Sequence, residues 1–312
     1  MLVEHGWDAD RAYDALRKKG LAAAAKKASR HAAEGLVGAS FAARGAAPGA
    51  SSSSNSGGGQ GSIVLVELNS ETDFVARNDL FQGLLREVMA AAHSLGPAAA
   101  VGPDHQLDLE QVLRARTPAG VPVSDAVTAV AAKVRENVRL RRAFRVDSGD
   151  GLVYSYVHQA ASPGLGKLAS VVVLQSQDGA SLAQDEAPGA STSGSGSPSV
   201  LQAAGEGLAM HVAGMRPSYL RRADVPADAL DKERSVLTQQ LQQDPALKSK
   251  PPKVLTQVVS GRLDKVLADW LRKDVGRPLH VASFLRVQCG EGLGPKEGGD
   301  FAAEVARIVS DT

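Results

Sequence analysis

The sequence predicts an α+β protein: a small helical N-terminal piece, then two related subdomains with largely antiparallel sheets, then a C-terminal helical segment. Three observations carry this expectation. Apolar runs of strand length alternate with segments of helical periodicity. Several strand runs are joined by connections short enough for hairpins, which favours antiparallel pairing with helices on one side. The order of elements also recurs. Strand, loop and helix at 63–92 return at 168–215, and a strand closes each half at 138–146 and 281–289. A repeat unit this long indicates duplicated subdomains and not a solenoid.

Taken in order, residues 8–20 read as a short helix that Asp8 or Asp10 can cap, carrying Ala12, Ala15 and Leu16 and stopped by Gly20. A second helix over 21–33 ends at Gly35. Two short helices bury too little apolar surface to offset their ordering entropy, so residues 1–45 are expected to be loosely held. Ser51 to Ser54 and Gly57 to Gly59 lend 45–61 the composition of a flexible linker. A second such segment, at 176–199, is expected to be a disordered insertion. Residues 63–68 form an almost continuous apolar run, hence a buried strand. Asn78 or Asp79 can cap the helix that follows, with Phe81, Leu84, Leu85, Val88 and Ala92 on one face. Ser124 is expected to cap a helix carrying Val127, Val130 and Val134. Val138, Leu140, Phe144 and Val146 then alternate with Arg139, Arg141 and Arg145, the pattern of a half-buried strand. Runs at 152–158 and 168–174 read as a hairpin turning at Pro163-Gly164. Helices are expected near 200–215, 226–243 and 252–270, with a last strand at 281–289 and a last helix at 301–309. The domain boundaries that follow are a helical module at 1–44, a linker at 45–61, core halves at 62–150 and 151–290, and a C-terminal module at 291–312.

Composition narrows the function. The 312 residues are 43% hydrophobic, enough for a real core, but only 4% aromatic, so that core must rest on Ala, Val and Leu. A formal net charge of +1 provides no global field for nucleic acid or a membrane surface. One cysteine, Cys289, excludes an intramolecular disulfide and a multi-cysteine zinc site. No apolar run approaches the roughly 20 residues that span a bilayer.

A search for bond-making chemistry is mostly negative. None of the seven histidines has the i, i+4 zinc-helix pattern with Glu, and no Gly-x-Ser-x-Gly is present. The turn Ala161-Ser162-Pro163-Gly164-Leu165-Gly166-Lys167-Leu168 superficially resembles a phosphate loop. Ala161 stands where glycine is needed, and Leu168 offers no hydroxyl to magnesium, so a plain hairpin turn is the better reading. Cys289 reads as an inert core residue. Arg135, Arg139, Arg141, Arg142 and Arg145 read as the solvated face of a strand in preference to a nucleic-acid stripe.

One stretch stands out: Leu68-Asn69-Ser70-Glu71-Thr72-Asp73-Phe74-Val75-Ala76-Arg77-Asn78. It places a bulky aromatic beside a carboxylate on a strand-to-helix turn, where binding residues are commonly carried. Taken alone, a core plug and a helix-entry residue would explain it. However, the stretch resembles the signature of translation elongation factor Ts, and further segments resemble that family in the same order. They are 16–28 running on to 32–35, Glu136-Asn137-Val138-Arg139-Leu140-Arg141-Arg142, Tyr156-Val157-His158 with the Gly164-Leu165-Gly166 turn and the 168–174 strand, 209–220 with 224–226, and 290–292 with 300–306.

The resemblance implies a guanine-nucleotide exchange factor that binds elongation factor Tu·GDP, passes through a nucleotide-free heterodimer and uses no covalent catalysis and no cofactor. It implies that Thr72, Asp73, Phe74 and Val75 enter the GTPase domain near its magnesium and phosphates. Phe74 would wedge between helices there, and Asp73 would anchor the loop by hydrogen bonds. His158 and its hairpin, with Gly164 and Gly166, would touch another domain of Tu. No direct nucleotide binding, membrane contact or metal site is implied. The family begins with a three-helix, ubiquitin-associated-like (UBA-like) module, of which 1–44 would be a truncated form lacking the first helix. The Ala, Gly and Ser insertions suggest a nuclear-encoded organellar protein, with the mitochondrial matrix ahead of the chloroplast and a bacterial origin as the further option; a targeting peptide is not visible. Two other readings compete: a Tu-binding protein without exchange activity, and a ribosome- or RNA-associated protein using 135–145.

Overall fold

The computed structural model describes residues 3–8, 29–46, 56–102, 104–177, 200–220 and 279–294 as continuous runs, with a few single positions between them. Strand β1 (Glu34–Ala43) leads through β2 (Ser56–Gly59) to β3 (Gly61–Ser70). A single helical turn, α1 (Asp73–Ala76), precedes the long helix α2 (Asp79–Ser94). Short strands β4 (Ala100–Val101) and β5 (Gln106–Leu107) are followed by helices α3 (Leu109–Arg114) and α4 (Val123–Val134) and by strand β6 (Arg139–Asp147). The second half runs through β7 (Leu152–His158), β8 (Leu165–Gly166), β9 (Leu168–Ser176), helix α5 (Val200–Met215) and β10 (Leu279–Gln288).

The strands form two sheets, ordered β4-β5-β6-β3-β1-β8 and β10-β9-β7-β2, and their pairings are antiparallel. Strands β3 and β9 are apolar on both faces for a reason. Val64, Val66 and Leu68 face α2 and α4 in one core, while Ile63 and Leu65 face the other sheet. Val172 and Leu174 pack under α5, while Ala169, Val171 and Val173 meet Ile63, Leu65, Phe144 and Val146. The protein is therefore four layers thick: helices, six-stranded sheet, four-stranded sheet, helix. The mixed α/β architecture with antiparallel sheets is the expected one. The duplication is also visible in topology, because β1, β3, α2 and β6 correspond to β7, β9, α5 and β10, with the same strand order in each sheet.

Several expectations need correction. The helix read over 21–33 does not reach its predicted end: residues 31–33 are non-helical, and β1 follows at once. That strand is central, paired to β3 along its whole length from Glu34–Ser70 to Ala43–Gly61. The part of the loosely held region from 34 to 43 is thus built into the first sheet. Its small residues concealed it. A Cβ on Gly38 would lie 2.6 Å from Met89 Sδ, so only a small residue lets β1 approach α2 this closely. The 45–61 segment is not all linker either, because β2 pairs with β7. Three glycines leave β2 with no side-chain alternation to read.

Ser124 is not a cap. Helix α4 starts one residue earlier, at buried Val123, whose N–H is satisfied by the Ala115 carbonyl at 2.9 Å. Asn78, in contrast, caps α2 as expected, its Oδ1 accepting from Leu80 N at 2.9 Å. The helices expected at 252–270 and 301–309, most of the one at 226–243, and most of the 176–199 segment lie outside the described residues.

Helix α5 contains Gly205 where it crosses Tyr154, a fully buried ring. A Cβ there would penetrate the ring, which has no room to swing away. Gly205→Ala is expected to lower stability by about 1–3 kcal/mol through overpacking, outweighing a helix-propensity gain of at most about 1 kcal/mol. Thermal melts of the two proteins provide the check, and a higher melting temperature for the variant would refute this packing.

Candidate functional site

The turn after β3 is built from its own hydrogen bonds outward. Ser70 Oγ donates to the Thr72 carbonyl at 2.8 Å. Thr72 is extended and occupies the N-cap of α1, its Oγ1 accepting from Val75 N at 3.5 Å. Arg77 N and Asn78 N close the turn onto the carbonyls of Asp73 and Val75 at 3.2 and 3.0 Å. Asn78 then opens α2, so the two helices run head to tail. Ala76 is buried, Val75 packs half-buried against the first core, and Phe74 is left 81% exposed. Burying such a side chain is worth about 2–3 kcal/mol, which the fold leaves unused. Asp73 pairs with Arg77 at 3.3 Å on the surface, an i, i+4 contact of small energetic weight.

What holds the turn to the body is a pair of carboxylates that sequence reasoning did not single out. Glu136 Oε1 accepts from Thr72 Oγ1 at 2.7 Å, and its Oε2 accepts from Thr72 N at 3.0 Å. Glu71 Oε1 accepts from Asn137 N at 2.7 Å, and its Oε2 faces the Arg30 guanidinium at 3.6 Å. Both glutamates lie inside segments quoted above for the resemblance. Nothing in their spacing reveals that they meet.

His158, Gly164 and Gly166 belong to a second feature, in which His158 is exposed and the two glycines are buried. His158 ends β7, and its Nδ1 lies 3.1 Å from the Tyr156 hydroxyl. Gly164 has φ +74° in the turn, and its carbonyl accepts from Ala39 N at 2.8 Å. Gly166 pairs with Val37 in β1. Arg86 and Gln82 of α2 grip Ser162, at 2.9 and 2.7 Å. The residues with a superficial phosphate-loop pattern thus form a hairpin turn seated on β1 and α2. It is held by different residues from those that hold the Phe74 turn.

The arginines read as a solvated face are mostly not one. The bulge between Glu67 and Leu68 lets β6 accommodate Arg141 as an extra residue, so Arg141 and Arg142 both reach the same side. They converge on fully buried Glu67 at 2.9 and 2.5 Å, and Gly290 N adds a third bond at 2.8 Å. Burial pushes the Glu67 carboxyl up, but the Gly290 N–H and the two guanidiniums outweigh it and hold it below the usual carboxylate range. Arg145 is half-buried against Asp147 at 3.0 Å, while Arg135 and Arg139 are exposed. Cys289 sits beside this cluster. Burial and then the Glu67 charge push its thiol up to about 12, so it stays protonated. Among the described residues, no group of three or more His, Cys, Asp or Glu side chains is placed to hold a metal. No described helix is long and apolar enough to cross a membrane.

His93, on α2, has its Nε2 at 2.9 Å from Ser40 Oγ, and burial drives its pKa from 6.5 down to about 4. A neutral folded imidazole stabilises fully above the unfolded value of 6.5, and that stability is lost as pH falls toward 4. The gap is worth on the order of 3 kcal/mol. Urea unfolding at pH 7.5 and 4.5 should show this loss, and His93→Gln should flatten the slope. An unchanged slope would refute it.

A sequence model of the family described as Elongation factor TS matches residues 71–272. The protein named "Elongation factor Ts, mitochondrial" from Chlamydomonas reinhardtii is 57% identical, over all of this chain and 80% of its own length. Elongation factor Ts of Paramagnetospirillum magneticum is 39% identical over 98% of this chain and 89% of its own. "Elongation factor Ts, mitochondrial" from Ostreococcus tauri is 36% identical over all of this chain and 87% of its own. The chain is therefore a translation elongation factor. Within that class it belongs to the elongation factor Ts family.

Proposed function

We propose that this protein binds elongation factor Tu carrying GDP and speeds GDP release by disturbing the magnesium and phosphate site, with Thr72, Asp73, Phe74 and Val75 as the inserted turn. The observation that carries the reading is Phe74: a large apolar side chain, 81% exposed, on a turn pinned to a rigid sheet. Magnesium bridges phosphates and GTPase side chains, so a small displacement removes large local attractions. The nucleotide's hold then weakens, and no covalent step is needed. Coupling is reciprocal: the factor by which the complex loses GDP affinity is the factor by which GDP lowers the affinity of the two proteins. In the turn, Asp73 already bonds Arg77, so any hydrogen bond it makes to Tu competes with a weak surface pair. His158, Gly164 and Gly166 form the second contact in this proposal. A mitochondrial destination is supported by the names of the Chlamydomonas reinhardtii and Ostreococcus tauri relatives, and the matrix is the compartment proposed within it. Stopped-flow measurement of labelled GDP leaving Tu, with and without this protein, is the test. Binding without faster release would leave a Tu-holding protein instead.

A further inference from the structure

We propose that Glu136 is a positioning residue of the Phe74 turn, its carboxylate setting the angle at which Phe74 meets its partner. The inference rests on the exchange reading above. Two carboxylates cross between the same two loops in opposite directions. Glu136 reaches from the loop between α4 and β6 to the N–H and hydroxyl of Thr72. Glu71 reaches back from the turn to the N–H of Asn137.

The turn needs this support. Helix α1 is one turn long, and a lone helical turn does not hold itself in water. Its own cap bond, from Val75 N to Thr72 Oγ1, is long at 3.5 Å. The Thr72 hydroxyl bond to Glu136, at 2.7 Å, is a short charge-assisted one. The Thr72 N–H has no helical carbonyl to use, and Glu136 takes it too. Asp73 offers no such tie, because it pairs with Arg77 within the same turn.

A wedge works only if it arrives already shaped. Freedom in the turn is lost on binding and reduces the fraction of encounters that are productive. The same anchor also receives the chain ahead of β1. Asn137 Nδ2 donates to the Arg30 carbonyl at 2.7 Å, and Lys27 Nζ donates to the Arg135 carbonyl. The segment before β1 and the Phe74 turn therefore share one fixed point.

The test compares the parent with Glu136→Ala, Glu136→Gln and Thr72→Val. Labelled GDP release from Tu is followed over a range of concentrations, beside amide hydrogen exchange at 72–77. Glu136→Ala is expected to lower the saturating release rate about tenfold, with the half-saturating concentration changed less than about threefold. Amides 72–77 should exchange faster while β3 and β6 stay protected. Glu136→Gln keeps one acceptor and should recover part of the rate. Adding Thr72→Val to Glu136→Ala should cost little more, because the two share the hydroxyl–carboxylate bond and Thr72→Val removes beyond it only the long cap bond from Val75 N. If Glu136→Ala exposes β3 and β6, Thr72→Val alone carries the comparison, since it keeps the glutamate in place. Parent-like release despite faster local exchange would overturn the positioning role, and unchanged protection at 72–77 would overturn the clamp. A parent that leaves GDP release unaltered sinks the exchange reading instead, and the amide data still decide whether Glu136 holds the turn.

Discussion

Replacing Phe74 with alanine is expected to slow GDP release from elongation factor Tu by more than about tenfold, a loss of roughly 1.4 kcal/mol or more of differential stabilisation. The fold should be almost untouched. Phe74 is 81% exposed, and surface substitutions of this kind stay within about 0.5 kcal/mol of neutral. Binding to nucleotide-free Tu should fall less than the release rate, because neighbouring contacts persist when the wedge is lost. Stopped-flow release and a denaturation curve on the same variant separate the two effects. Release at the parental rate, with the fold intact, would mean that Phe74 is not the wedge.

The largest stability effect is expected at Glu67. It is fully buried, and Arg141, Arg142, Asn69 and Gly290 all donate to it. Glu67→Ala leaves two half-buried guanidiniums facing an empty, desolvated site. Breaking a buried pair this way costs about 3–5 kcal/mol, a large share of the 5–15 kcal/mol typical of a folded protein. Arg142→Met should cost less, since Arg141 still neutralises the carboxylate. The depressed carboxyl adds a pH signature. Its stability is present above the unfolded carboxylate value and is lost as pH falls below it. Urea titrations at neutral pH measure the first effect, and a Glu67→Ala protein as stable as the parent would refute the arrangement.

Elements with a strong side-chain rhythm were legible in the sequence. Strand β3 announced itself through an unbroken apolar run, α2 through Phe81, Leu84, Leu85 and Val88, and the pairing of β7 with β9 through the turn at Gly164. Strand β1 was hidden because Gly38, Ala39 and their neighbours were chosen for closeness to β3 and α2, and small residues carry no period. The duplication contained the missing clue: β7 precedes β9, so a counterpart had to precede β3. The arginines misled because one bulge opposite Glu67 turns two consecutive side chains inward. Phe74 could be found from its motif, but its support could not. Glu136 is 64 residues from Thr72 along the chain, and only the folded sheet brings them together.

The shared interior between the two sheets has a consequence for how such a protein could have arisen. Val37, Ala39, Ile63, Leu65, Phe144 and Val146 form a sheet face whose cover, among the described residues, comes from the other half. A single ancestral half would have exposed that face to water as one broad oily surface. A second copy of itself, pairing like with like across a twofold axis, would be the simplest cover for it. Fusion of two such copies would make the pairing permanent and free each half to diverge. One half carries a carboxylate-pinned aromatic turn after its middle strand, and the other carries the seated hairpin.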